Sequence, residues 1–295
     1  MRNLKKLFSI TIVLLLAVGL AACGSSSSAS GGQNSGNAEN SNDNGKGKEE
    51  LTTLTVGATP VPHAVILKKA KPILKKKGIK LEIVKFEDYV TPNKALATGD
   101  LDANYFQHLP YLKKQKENFG YNFVSVGKIH IEPIAGYSKK YDSVEELPKG
   151  ATVLLPSVVP AQSRILTLLD HKGIIKLKED AGYDATFEDI VENPKELNFK
   201  HDIKPALLPQ AYKHGEGDLV FINTNYAIDN GLNPLEDSII IEGKDSPYAN
   251  VVAVKKENAD NPAIQTLVDV LQSKKIQQFI LDKWNGSVVP VSLNK

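Results

Sequence analysis

The chain has a single cysteine, Cys23, in 295 residues, so it can form no intrachain disulfide and offers no thiol pair to a metal. An excess of either charge is also lacking. Its 36 Lys and Arg stand against 34 Asp and Glu, for a net charge of +2, with the two signs interspersed. That balance provides no field that would draw in nucleic acid or an acidic partner. No apolar run reaches the roughly 20 residues of a permanent membrane span; the longest, Leu7 to Leu20, is about 14. A Gly-rich phosphate loop and a G-x-S-x-G nucleophile elbow are both missing, which argues against nucleotide-driven work and serine hydrolysis. The six histidines, at 63, 108, 130, 171, 201 and 214, show no pair at metal-ligand spacing. The expectation is therefore a protein with no metal, no cofactor and no catalytic centre.

What is present begins with an address. Arg2, Lys5 and Lys6 precede the apolar run, and small residues follow it, which is the order of a signal peptide. Leu20-Ala21-Ala22-Cys23 resembles the lipobox of bacterial lipoproteins, whose cysteine is acylated and becomes the first residue after cleavage. Residues 1–22 are read as the signal peptide and 23–50 as a lipidated Cys23 with its tether. This puts the protein on the extracytoplasmic face of a cell membrane. From Gly24 to Glu50 nothing apolar is larger than alanine, so the segment cannot build a core. As a Gly-rich coil it reaches roughly 30 Å.

Beyond the tether, short apolar segments alternate with helical stretches. Strands are expected at Leu54 to Ala58, Leu81 to Phe86, Asp102 to Phe106, Phe123 to Val126, Thr152 to Leu155 and Leu219 to Ile222. Helices are expected from Pro160 to Lys172, from Pro262 to about Gln272 and from about Lys275 through Trp284. The alternation predicts an α/β fold with largely parallel sheets. Ligands of such sheets bind where strands end and loops meet helices. Four stretches stand at those places: Ala58 to His63, Asn104 to His108, Pro156 to Arg164 and Ile222 to Tyr226.

Several long motifs fall in one order: VGATPVPHA (56–64), EDYVTPNKALATGDLDANYFQH (87–108), VGKIHIEP (126–133), DIVENPKEL (189–197), INTNYA (222–227) and DSPYANVVAVK (245–255). Together they resemble the methionine-binding lipoproteins, the NlpA-type substrate-binding subunits of ABC importers, from Leu54 to Leu293. The resemblance implies a two-lobed, periplasmic-binding-protein-like α/β fold of type II, with the ligand in a cleft between lobes joined by two crossings. The crossings are expected near Pro133 to Tyr137 and Ile241 to Ser246. Lobe 1 is then 51–134 with 246–295, and lobe 2 is 135–245. The implied partners are L-methionine or a close relative, the importer's permease and ATPase, and the membrane through the lipid.

An apolar zwitterion needs a cation, oxygen acceptors and a dry wall. The resemblance places Arg164, one turn into its helix, as the carboxylate clamp, and a guanidinium suits a bidentate carboxylate contact. It places Tyr89 and Phe106 as the aromatic wall for a thioether. His108, two residues after Phe106, shares its side and is a candidate hydrogen-bond donor. Asn223 follows an apolar strand and matches the polar contact from the second lobe, and Asn250 is a further candidate. Asn225 is expected to cap a helix beginning near Tyr226.

One stretch departs from the family pattern. Ser157-Val158-Val159-Pro160-Ala161-Gln162-Ser163-Arg164 keeps the arginine but has Val158 and Ala161 where the family has an aspartate and an asparagine. A methionyl dipeptide or another apolar amino acid therefore remains an alternative ligand. A surface adhesin or scaffold retaining the fold is the other alternative.

Overall fold

The computed structural model describes residues 50–243 and 246–291. The expected signal peptide, Cys23 and the tether as far as residue 49 lie outside the described residues.

The chain opens with β1 (Thr52–Ala58), whose inward residues Leu54, Val56 and Ala58 alternate along one face. After the turn that carries Thr59 and His63 comes α1 (Val65–Lys75), which buries Ile66, Leu67, Ala70 and Leu74 on a single stripe. Next follow β2 (Ile79–Lys85), α2 (Thr91–Thr98), β3 (Ala103–His108), α3 (Leu109–Phe119) and β4 (Phe123–Ile131). Gly120, in the left-handed region at φ 68°, closes α3.

The chain then passes into a second sheet with β5 (Ala135–Tyr137), β6 (Thr152–Pro156) and α4 (Val159–His171). It continues through the short β7 (Lys176–Leu177) and β8 (Ile190–Glu192), then β9 (Asn198–Ile203), α5 (Leu208–Lys213), β10 (Leu219–Ile222), α6 (Thr224–Asp229) and β11 (Ile240–Ile241). It returns to the first sheet with β12 (Ala249–Lys255), followed by α7 (Pro262–Leu271), α8 (Lys274–Trp284) and β13 (Val289–Pro290).

The first sheet has the order β13-β4-β12-β3-β1-β2 and the second β11-β5-β10-β6-β9. Each therefore anchors one lobe of a two-lobed α/β fold, with crossings between Ile131 and Ala135 and between Ile241 and Ala249. Both sheets are mixed rather than largely parallel. β1 runs parallel to β2 and β3, but β12 is antiparallel to β3 and β4. In the second sheet β10 is parallel to β6 but antiparallel to β5, which is also antiparallel to β11. β5 and β12 directly follow the crossings, where the chain enters a sheet without the helical crossover that a parallel pair needs, and β13 adds a further antiparallel strand beside β4 after α8.

Each lobe has its own core. Tyr105, Ile129, Val252, Leu267 and Ile280 belong to the first, and Val153, Leu155, Ile165, Leu169 and Phe221 to the second. Close approach is built in at Gly136 of β5, where a β-carbon would lie 2.8 Å from Ile240 Cγ2 and 2.9 Å from Leu219 Cδ1.

Candidate functional site

The two lobes meet along the ends of β3, β4 and β10 and the first turn of α4. Tyr89 donates from its hydroxyl to Asn225 Oδ1 at 2.6 Å, and Tyr226 donates to the Glu87 carbonyl at 2.8 Å, so hydrogen bonds bridge the cleft. A cavity lies behind them. Tyr89, Phe106, His108, Arg164, Asn223 and Asn250 all line it. The six residues singled out from the sequence thus share one cavity, drawn from five stretches of chain.

The aromatic wall is wider than two rings. Tyr89 lies 6.2 Å from Phe106, 6.1 Å from Tyr111 and 5.2 Å from Tyr226, centroid to centroid. Tyr111 also lines the cavity and is the residue sequence reasoning missed here, although it sits one helical turn after His108.

His108 ends β3 and serves as the N-cap of α3, where its Nδ1 accepts from the Tyr111 N–H at 3.1 Å. Burial, reinforced by the nearby Arg164 charge, lowers its pKa to about 3, so the ring is neutral. With Nδ1 accepting, the single ring proton sits on Nε2.

Arg164 is 4 % exposed, so it is a buried cation and not a surface one. Its Nη2 donates to the Glu132 carbonyl at 2.7 Å, and its guanidinium lies over the Tyr248 ring at 4.5 Å.

Asn223, at the end of β10, is the N-cap of α6 in extended conformation, but its side chain makes no capping bond. Its Oδ1 is buried and has no hydrogen-bond partner among the described residues. A buried acceptor left unpaired costs about 1 to 3 kcal/mol, so it marks a place held ready for a donor. The expected role of Asn225 as a cap is corrected. The helix begins at Thr224, and the Asn225 side chain instead accepts from Tyr89 while its backbone N–H serves Glu132.

The scattered histidines conceal a cluster. His63, after β1, and His130, near the end of β4, converge on Glu132, with all three buried and their ligand atoms within 4.8 Å of one another. His130 Nε2 is 2.7 Å and His63 Nε2 3.2 Å from Glu132 Oε1, and His63 Nε2 is also 3.1 Å from Asn250 Oδ1. On the far side, Thr59 Oγ1 meets His63 Nδ1 at 2.7 Å, and the Tyr105 hydroxyl bonds His130 Nδ1. Carboxylate and amide oxygens only accept, so both Nε2 atoms carry protons and both Nδ1 atoms accept from hydroxyls. Every member is then satisfied. A cation between the imidazoles would require both Nε2 atoms deprotonated and would strip Thr59 and Tyr105 of their acceptors. The pattern fits a hydrogen-bond network better than a metal site.

Burial lowers His63 to about 4 and His130 to about 3, against the opposing pull of Glu132 on His63. Burial also pushes the Glu132 carboxyl up, opposed by His63, Arg164 and the Asn225 N–H. With its Oδ1 turned to His63, Asn250 has its amide nitrogen left for the cavity. Glu132 was missed from sequence although it stands inside the motif VGKIHIEP.

Val158 and Ala161, the departures from the family pattern, both line the cavity. Val158 also borders a second, solvent-open cavity that shares Tyr89 and Tyr111 with the first.

With this geometry in place, known proteins supply the comparison. The NlpA lipoprotein family matches residues 54–292. The methionine-binding lipoprotein MetQ of Bacillus subtilis is 49 % identical over 242 residues, covering 81 % of this chain and 88 % of that protein. A pheromone cOB1 precursor and lipoprotein of the YaeC family from Enterococcus faecalis has a solved structure that superposes with a TM-score of 0.80 at 49 % identity, covering 81 % of this chain and all (100 %) of that one. A nutrient binding protein from Burkholderia cenocepacia, solved bound to methionine, superposes at a TM-score of 0.77 with 40 % identity, over 81 % of this chain and 99 % of that one. The chain is a membrane-anchored lipoprotein of the extracytoplasmic face and not an enzyme, and it belongs to the NlpA lipoprotein family.

Proposed function

We propose that this lipoprotein captures L-methionine between its lobes and delivers it to the permease and ATPase of an ABC importer. The observation that carries this is the buried, unpartnered Asn223 Oδ1 in the same aromatic-walled cavity as the Arg164 guanidinium. An acceptor and a cation on one enclosed wall suit the two ends of a zwitterion.

In this arrangement Arg164 takes the ligand carboxylate, helped by the Asn250 amide nitrogen and His108 Nε2–H. Asn223 Oδ1 accepts from the ammonium. Tyr89, Phe106 and Tyr111 pack against the thioether, where each sulfur–aromatic contact is worth about 0.3 to 1.5 kcal/mol. Closing brings Tyr89 to Asn225 and shuts out water, the hinge motion expected of two lobes on two crossings. A lipid on Cys23 would keep the trap near its transporter and raise local concentration.

A second ligand class is favoured by one observation. The open cavity beyond Tyr89, Tyr111 and Val158 offers room for an added residue, as in a methionyl dipeptide.

Calorimetry on the unfolded and refolded domain from residue 51, screened against L-amino acids and methionyl dipeptides, tests both ligands. The expected result is binding of methionine or a methionyl compound that Arg164→Ala abolishes. Binding unchanged by that substitution overturns the site.

A further inference from the structure

The second crossing carries a carboxylate that the amino-acid site does not yet use. Glu242 follows β11, and its side chain is only 14 % exposed. Its two oxygens accept from Arg164 Nε at 3.0 and 2.9 Å, and Oε2 also takes Nη2 of the same guanidinium. Oε1 accepts from Ser246 Oγ at 3.1 Å and Oε2 from the Ile134 N–H at 3.4 Å, while the Glu242 N–H donates to the Ile134 carbonyl at 3.0 Å. The residue is thus pinned to both crossings and grips one edge of the arginine.

The electrostatic consequence concerns what Arg164 offers a ligand. A bare, buried guanidinium attracts any small carboxylate. Here Glu242 already balances that charge, and Glu132, accepting from His63, His130 and the Asn225 N–H, adds a second carboxylate at the cavity wall. A ligand that brings only a carboxylate sets a further acidic group against a cation that Glu242 already neutralises. A ligand that also brings an ammonium compensates for that excess.

We propose that Glu242 is a specificity-determining residue that masks the charge of Arg164, so that the cavity accepts zwitterionic amino acids and rejects carboxylates lacking the amino group. This rests on the amino-acid site described above. Glu242 acts through Arg164 and by charge, so its signature is a ratio of affinities rather than a loss of binding. Discrimination by repulsion is a common source of specificity.

The test uses the full-length lipoprotein in detergent, freed of copurifying ligand, with L-methionine and its des-amino analogue 4-(methylsulfanyl)butanoate as ligands. In the wild type the analogue binds more weakly by about tenfold or more, since like charges brought together cost several kcal/mol and each 1.4 kcal/mol is a factor of ten. In Glu242→Gln that ratio falls by about tenfold. Glu242→Asp, which keeps the charge, retains discrimination. An unchanged ratio in Glu242→Gln overturns the proposal, as does a wild type that binds both ligands alike, a measurement that needs no variant.

A separate arm uses acetate as a probe of the clamp alone. Acetate should raise the melting temperature of Glu242→Gln but not of the wild type, and Arg164→Ala should remove the response. Should the wild type bind no amino acid while Glu242→Gln gains the acetate response, charge masking stands and the amino-acid site falls. Absence of the acetate response in Glu242→Gln counts against masking whatever the amino-acid result.

Discussion

Acidification should unfold this protein from within. His63, His108 and His130 are buried, with pKa values held near 4, 3 and 3 against an ordinary 6.5. In the unfolded chain each takes up a proton between about pH 6.5 and its folded value, whereas the folded form stays neutral. The unfolded state therefore binds more protons in that window, and stability falls as the pH falls. Each histidine costs about 1.4 kcal/mol per pH unit once its unfolded form is protonated. Summed over three residues from neutrality to pH 5, the loss is roughly 5 kcal/mol. Glu132 pulls the other way by up to one proton, because its raised pKa favours the protonated folded form once the pH falls below that value. Against a total of about 5 to 15 kcal/mol, the net loss is a large share of what holds the fold. Urea denaturation at half-unit steps from pH 7.5 to 4.5 should show a slope of two to three protons, about 3 to 4 kcal/mol per pH unit, near pH 5. Stability that stays flat between pH 7 and 5, or His63, His108 and His130 imidazoles that titrate near 6.5 in the folded protein, would refute the reasoning.

Two further substitutions separate binding from stability. Asn223→Ala should weaken methionine binding by about tenfold to a hundredfold in calorimetry, the loss of one buried hydrogen bond. Its melting temperature should hold or rise, because the removed Oδ1 bonds nothing and caps nothing. A destabilised Asn223→Ala would show that the residue serves the fold instead. Gly136→Ala should do the reverse, lowering stability by about 1 to 3 kcal/mol in denaturant titration, because its new carbon meets Ile240, Leu219 and Phe221 within 3.0 Å.

Much of the fold was legible because periodicity is a local property. α4 begins at Val159, one residue ahead of its Pro160 signal, and α7 and α8 begin within a residue of their expected starts. Sheet polarity was not legible. The apolar run of β12 (Ala249–Lys255) looks the same in either direction, and only the position of its partners β3 and β4 makes it antiparallel. Strand lengths also slipped. β4 runs on to Ile131, past the polar Lys128 and His130, because His130 is buried against Tyr105 and Glu132 rather than turned to solvent.

The site divides along the same line. Phe106 near the end of β3, Asn223 directly after β10 and Arg164 one turn into α4 stand near the strand ends, where an α/β fold collects its ligands, and the motifs around them could be matched one at a time. Residues that act through partners carry no such mark. His63 and His130 are 67 positions apart, and spacing rules look for neighbours on one helix or loop. Only when β1 and β4 end on the same side of the first sheet do the two rings reach one carboxylate. Glu242 is hidden for the same reason, since its partner Arg164 lies 78 residues earlier on another element. Single-residue motifs thus point to the cavity, whereas the charges that face Arg164 are set by tertiary pairing. Val158 and Ala161 sharpen the point. They are apolar at the cavity wall and offer a ligand no side-chain hydrogen bond, whereas Arg164 and Glu132 beside them are held by partners distant in sequence.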